Sequence, residues 1–169
     1  MVKNEQLINE LDLSSLGIVF DEKPLLIGGL AMEYYGIRKQ GNDIDFIVTE
    51  TDYHCLAANY PENHRDKWGD LILSVDHYEF LRSIFRLDYA FFAEGGIEYP
   101  HCKVISLEKL FFMKVLAFDN QPEVKKHAQD YRLMLEYVLQ NFQNDHFAAQ
   151  AEKKVPEYLK APDGILYLS

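Results

Sequence analysis

Residues 25–49 read Leu-Leu-Ile-Gly-Gly-Leu-Ala-Met-Glu-Tyr-Tyr-Gly-Ile-Arg-Lys-Gln-Gly-Asn-Asp-Ile-Asp-Phe-Ile-Val-Thr. An apolar strand enters a double glycine, a short helix follows, and a second strand opens on two aspartates one residue apart. Alternate side chains of a strand share a face. Asp43 and Asp45 are therefore expected side by side, with Ile44 and Phe46 turned to the core. Two adjacent carboxylates repel each other unless a cation lies between them, and oxygen-only ligands suit Mg²⁺ or Mn²⁺. Gly28 and Gly29 permit a tight turn where a bulky group approaches, and the helix behind them offers N–H groups to an anion. A glycine turn for phosphate and a carboxylate pair for metal together imply a nucleotide–metal site. A surface hairpin with solvated aspartates would explain the D-x-D pair alone, but not the double glycine at this spacing.

Working outward, Leu7, Ile8, Leu11, Leu13 and Leu16 predict an N-terminal helix over 4–16, and Asp21-Glu22-Lys23-Pro24 a turn into strand 25–28. A short helix over 31–35 ends at Gly36, the usual place for a helix-terminating glycine. Strand 43–49 is followed by a helix from Thr51-Asp52 to about Tyr60, and the polar segment 61–69 reads as a loop at the mouth of the site. Further strands are expected over 70–75 or 76, 85–93 and 98–105, the last two joined at Gly95-Gly96. Ser106 is a good N-cap for a helix over 107–118, which Asn120-Gln121-Pro122 breaks. A long helix over 123–142, a last helix near 145–160 and an apolar tail at 165–168 complete the reading. Strands come first and helices later. The expected class is α/β (α+β), a mixed sheet with a C-terminal helical layer.

At 169 residues the chain is expected to form a single domain, with a sheet-containing core over about 1–105 and C-terminal helices over 106–160. Hydrophobic residues at 48% and charged residues at 26% are ordinary for a globular protein and argue against disorder. A net charge of −10 disfavours non-specific binding to a nucleic acid backbone, without excluding a local basic patch for a nucleotide or an RNA end. Cys55 and Cys102 lie in no metal-binding spacing, so reduced thiols are the default. Met1-Val2-Lys3-Asn4-Glu5 has no basic region leading into an apolar run, and no apolar stretch approaches the roughly 20 residues that span a bilayer. A cytoplasmic protein with no membrane partner is the expectation.

The metal site needs a third acid if two ions are used. Asp70 and Asp76 share a face of the next expected strand, and Asp70, after Gly69, stands nearer the expected active edge. Either is equally readable as a strand-end acid. Arg38 could reach phosphates or neutralise Asp43, and the residues do not choose. The six histidines show no H-x-H or H-x-x-x-H spacing, and neither G-x-S-x-G nor G-x-x-x-x-G-K-[ST] occurs. A zinc hydrolase, a serine hydrolase and a P-loop ATPase are thus unsupported.

The pattern Gly28-Gly29-Leu30-Ala31 … Gly36-Ile37-Arg38 … Asp43-Ile44-Asp45 resembles the first motif of the nucleotidyltransferase (DNA polymerase β-like) superfamily, especially small bacterial members related to abortive-infection toxins. Ser106-Leu107-Glu108-Lys109-Leu110 … Met113-Lys114 … Ala117 is similar to a second stretch of those proteins, whose lysine contacts nucleotide phosphates. Lys126-His127-Ala128-Gln129-Asp130 resembles their closing motif, with Gln129 where lysine is usual; Lys126 and Asp130 are also an ordinary i,i+4 pair. The resemblance implies the nucleotidyltransferase fold and transfer of a nucleoside monophosphate from a nucleoside triphosphate to a hydroxyl, with Mg²⁺ or Mn²⁺. Asp43, Asp45 and Asp70 would be catalytic, Asp43 and Asp45 holding metal. Gly28, Gly29, Arg38, Lys114 and Asp130 would contact nucleotide. A protein or RNA acceptor and a toxin–antitoxin partner are implied in the same way. Leu30 stands in the region where many catalytic members carry a phosphate-binding serine. A non-catalytic nucleotide- or partner-binding protein on the same fold is the competing expectation.

Overall fold

In the computed structural model, which describes residues 3–67 and 69–141, the chain is a mixed α/β protein. The described residues fall into two compact units, 3–106 and 107–141. The expected helix over 145–160 and the tail at 165–168 lie outside the described residues.

The first unit is built on a seven-stranded mixed sheet. Its strands are β1 (Leu25–Leu26), β2 (Ile44–Ile47), β3 (His64–Lys67), β4 (Asp70–Val75), β5 (Tyr78–Leu81), β8 (Ile97–Glu98) and β9 (Lys103–Val104), and their order is β3-β4-β5-β2-β1-β9-β8. β1 runs antiparallel to β2 and parallel to β9, while β2 runs parallel to β5. A separate two-stranded ribbon pairs β6 (Ser83–Ile84) with β7 (Leu87–Asp88). On one face of the sheet Phe46 stacks on Phe80 at 5.6 Å between ring centroids, with Tyr78 and Phe20 about 6 Å from the Phe80 ring. These rings and Leu73, all but Phe20 buried, form the apolar side of a sheet whose other side carries Asp45 and Glu79.

Helix α2 (Gly28–Tyr34) forms because Leu30, Ala31, Met32 and Tyr34 are all buried. It ends as expected at Gly36, whose φ of +74° suits glycine. Gly36 N–H donates to Glu33 O and Ile37 N–H to Met32 O, each at 2.9 Å, the paired bonds of a Schellman terminus. Helix α3 (Glu50–Asn59) is capped by Thr49, whose Oγ1 accepts from Asp52 N–H at 3.1 Å. The Asp52 carboxylate, buried, accepts the amides of Asp21 and Glu22 and the Thr49 hydroxyl, which pins the turn before β1 to this helix.

Several expected elements differ. The helix over 4–16 is α1 (Glu5–Asn9) plus a 3₁₀ turn at Ser14–Leu16. The polar segment 61–69 is not an open loop: a 3₁₀ turn at Pro61–Asn63 leads into β3, an edge strand exposed at all four residues. The strand expected over 85–93 is β7 followed by α4 (Tyr89–Ala93), because the Asp88 side chain accepts from Phe91 N–H and starts a helix there. The strand over 98–105 is a β8–β9 hairpin. β5 was not anticipated at all, although it is the strand that pairs with the D-x-D strand.

The second unit pairs α5 (Leu107–Asn120) with α6 (Lys125–Asn141). Tyr131 of α6 lies parallel to Phe118 of α5, with centroids 5.0 Å apart, and also stacks near Phe111. Met134 and Val138 are buried on the same side of α6.

Candidate functional site

Asp45 lies in β2 and Asp43 one residue before it, so the chain presents the two carboxylates at the start of one strand. Asp43 is exposed and Asp45 half-buried. β1 ends just before Gly28, and the Ile27 amide donates to Asp45 O at 3.0 Å, tying the glycine turn to the aspartate strand. Gly28 has φ +64°, and a Cβ there would run into the Asp45 carboxylate, whose Cγ would be 2.9 Å away. A Cβ on Gly29 would meet Gly41 N at 3.3 Å, with Gln40 Cα and Arg38 Nη1 at 3.5 Å. The bulky groups that approach the two glycines are therefore the Asp45 carboxylate and the returning segment 38–41.

That segment is held in place by Glu33. Its Oε1 pairs with Lys39 Nζ at 2.6 Å and its Oε2 accepts from Gln40 N–H at 2.9 Å. Lys39, and then the Gln40 amide, hold the Glu33 carboxyl below the ordinary glutamate range. Arg38 Nη1 donates to Lys39 O at 2.8 Å.

The neighbour of β2 on the side away from β1 is β5, where Glu79 is the registered partner of Asp45. Cross-strand partners point to the same face, so Glu79 adds a third carboxylate to the face that carries Asp45. Its Oε1 is 2.8 Å from Arg65 Nη2 and 3.3 Å from Ser74 Oγ. Sequence reasoning missed Glu79. The signal was there in Tyr78-Glu79-Phe80, a polar residue between two large inward-facing aromatics, the alternation of a half-buried strand.

Asp70, the expected third acid, begins β4, two strands from β2. Its carboxylate accepts from Ser83 Oγ at 2.6 Å and from the amides of Phe85 and Arg86 at 2.7 Å each. Phe85 and Arg86 have φ of +48° and +62°, and they connect β6 to β7. Asp70 is thus the anchor of a two-residue turn that neither residue favours. Asp76, the alternative, is exposed in the β4–β5 turn with φ +54°.

Lys114 and Asp130 belong to the helical unit. They form an ion pair at 2.7 Å between α5 and α6, with side chains 12% and 2% exposed. Leu30 is buried in α2 and adds to its packed face. Cys102 is buried and its thiol is pushed up to about 11, so it is not a thiolate nucleophile.

Among the described residues no three His, Cys, Asp or Glu side chains converge as a ready-made metal-ligating group. Mg²⁺ binding does not require one: that ion keeps several waters and takes one or two carboxylates together with substrate phosphates. Asp43 and Asp45, hard oxygen donors at the start of one strand, fit that requirement. No described helix is long and apolar enough to cross a membrane. No protein-family model and no curated protein matches the chain.

Proposed function

We propose that the unit formed by residues 3–106 binds a nucleoside triphosphate with Mg²⁺ or Mn²⁺ and transfers its nucleoside monophosphate to a hydroxyl acceptor. The observation that carries the reading is the junction of the glycine turn with the D-x-D strand: Gly28 is packed directly against the Asp45 carboxylate, and Glu79 is in register with it on the next strand. A bound divalent ion would supply charge neutralisation on the triphosphate, held by Asp43 and Asp45. The chain's own residues do the rest. Arg38, fastened beside Gly29, offers a cation to the phosphates as negative charge shifts toward the departing pyrophosphate. Glu79, on the same face as Asp45, is the carboxylate this reading assigns to take the proton of the acceptor hydroxyl. The resemblance to the nucleotidyltransferase superfamily supports the same reading and extends it to a toxin–antitoxin setting with a protein or RNA acceptor.

A second reading, a non-catalytic nucleotide- or partner-binding protein, is favoured by two observations. Lys114 and Asp130, both expected at the nucleotide, are paired with each other in a buried salt bridge. Leu30, where a hydroxyl is common in active relatives of this pattern, points the same way.

Two measurements test the proposal. ATP or GTP is expected to raise Tm more with Mg²⁺ than with EDTA, and Asp43→Asn with Asp45→Asn is expected to abolish the difference. An undiminished difference in the double variant would remove the site from this strand. Incubation with α-labelled nucleotide, Mg²⁺ or Mn²⁺ and a cell lysate should then label an acceptor in a manner lost on Asp45→Ala. Binding without labelling by any of the four nucleotides selects the non-catalytic reading.

A further inference from the structure

Gly36 turns the chain back on α2, and residues 37–41 retrace the helix toward its start. A seven-residue helix is about 10 Å long, a distance that five extended residues cover easily. The return ends with Gly41 N, Gln40 Cα and Arg38 Nη1 all within 3.3–3.5 Å of where a Gly29 Cβ would be. Nothing in the sequence of 38–41 is apolar, so burial does not hold this strap down. One side chain of α2 ties it down at two points. Glu33, the only acidic residue of α2, is 10% exposed and uses both oxygens on the strap, one on the Lys39 ammonium and one on the Gln40 amide. Lys39 itself is 88% exposed, so the contact is made at the helix by Glu33 and met from solvent by Lys39.

We infer that Glu33 is a positioning residue: it fastens the 38–41 strap over the Gly28–Gly29 turn and thereby sets where the Arg38 guanidinium stands relative to the Asp45 carboxylate. The inference rests on the nucleotide reading above for what Arg38 meets. Its own content is local. Gly28 faces Asp45 and Gly29 faces the strap, so an anionic group brought to this turn by a metal on Asp45 arrives beside the residue that Glu33 positions. Loss of the Glu33 carboxylate removes the two contacts that tie the segment carrying Arg38 to α2.

The test is a double-mutant cycle read by two methods. Backbone amide exchange should be faster at Gln40 and Gly41 in Glu33→Gln and in Lys39→Met than in the wild type, with the β2 amides unchanged. In calorimetric titrations with Mg-ATP, Glu33→Gln and Glu33→Ala should weaken binding on the order of tenfold, the scale seen when a residue that orients a ligand-binding side chain is removed. In the Arg38→Ala background the same Glu33 substitutions should cost nothing further, because the residue they position is gone. Independent, additive losses would overturn the inference, as would Mg-ATP affinity unchanged in Glu33→Ala despite faster exchange. If the wild type binds none of the four nucleotides with Mg²⁺, the nucleotide reading fails. Gln40 exchange unaltered by Glu33→Gln would separately sink the strap.

Discussion

The Asp45 carboxylate occupies the space that a side chain on Gly28 would need. This contact helps join the two halves of the 25–49 stretch, since the glycine opens α2 and the aspartate lies in β2. Gly28 also sits at φ +64°, so a substitution there meets two penalties, a left-handed backbone and an overlap with a neighbouring carboxylate. Gly28→Ala is expected to cost roughly 2–5 kcal/mol in chemical denaturation. Gly36, at φ +74° with nothing within 4 Å of its Cβ position, isolates the backbone part. Gly36→Ala should cost only about 1–2 kcal/mol. Equal losses at the two glycines would mean that the Asp45 contact adds nothing.

Asp70 makes a contrasting prediction, because its three hydrogen bonds serve the β6–β7 turn. Asp70→Ala should destabilise by roughly 2–4 kcal/mol, as bonds to a charged group contribute about 1.5–3 kcal/mol each and water recovers part of the loss. Replacing the turn by Phe85→Asn with Arg86→Gly, residues that accept positive φ, should restore much of that stability in the Asp70→Ala background. No restoration would leave the anchoring role without support.

These two turns also show what the sequence could and could not disclose. The glycine turn, α2, its Gly36 terminus and the D-x-D strand were legible because each carries a local signal: an apolar run, a helix-ending glycine, an alternating strand. β5 carried the alternation Tyr78-Glu79-Phe80 but no turn signal to set it apart from β4, because the turn that starts it has Asp76 at φ +54° rather than a glycine, and β6–β7 turns on Phe85-Arg86. In the second case the left-handed residues are supported from a distance by Asp70, a tertiary contact that leaves no trace in the local pattern. The aromatic run Tyr89–Ala93 looked like strand by propensity, and the Asp88 cap decided for helix. With β5 not anticipated, Glu79 was not among the candidates, and Asp70 was the acid that the local pattern offered. The helical pair 107–141 was legible from apolar spacing, but the Lys114–Asp130 bond was not, since the two residues are 16 apart and on different helices.

That ion pair predicts a stability phenotype with no nucleotide present. Lys114→Ala or Asp130→Ala alone should cost about 3–5 kcal/mol, because each removes the ion-pair partner of a buried charge. Lys114→Met combined with Asp130→Leu should recover most of the loss. A merely additive double variant, read by urea denaturation, would show that the two charges do not depend on each other.

Glu33 predicts a pH dependence. Its carboxyl is held below the ordinary range, first by Lys39 and then by the Gln40 amide. A group with a depressed folded pKa stabilises the fold above its unfolded pKa and loses that contribution as pH falls through the folded value. The stability advantage of the wild type over Glu33→Gln should therefore be full above the usual glutamate pKa of about 4.3 and shrink at more acid pH. Thermal melts of both proteins across an acid series measure it, and a difference that grows on acidification would contradict the assignment.

The choice of third carboxylate gives the most direct comparison between sequence and structure. Glu79 is in register with Asp45 on the adjacent strand, whereas Asp70 is two strands away with its oxygens on the turn. If a metal–nucleotide complex is held at Asp43 and Asp45, the carboxylate on the adjacent strand of the same face is Glu79. Glu79→Gln keeps the size and one acceptor oxygen, so it should leave Tm nearly unchanged, because the ion pair it loses to Arg65 is a half-exposed one worth at most about 1 kcal/mol. The same change should markedly reduce the extra Tm that Mg²⁺ confers with nucleotide, and any transfer of α-label should fall with it. Asp70→Asn should do the reverse, lowering the basal Tm while keeping the metal-dependent increment. Arg65→Gln separates the remaining possibility that the Arg65–Glu79 pair is purely structural. Removing that cation should strengthen the response to Mg²⁺ by leaving the Glu79 charge without its Arg65 counter-ion, whereas a structural pair would give equal, metal-independent losses in Arg65→Gln and Glu79→Gln. A metal increment lost in Asp70→Asn and retained in Glu79→Gln would return the third acid to the residue first expected from the sequence.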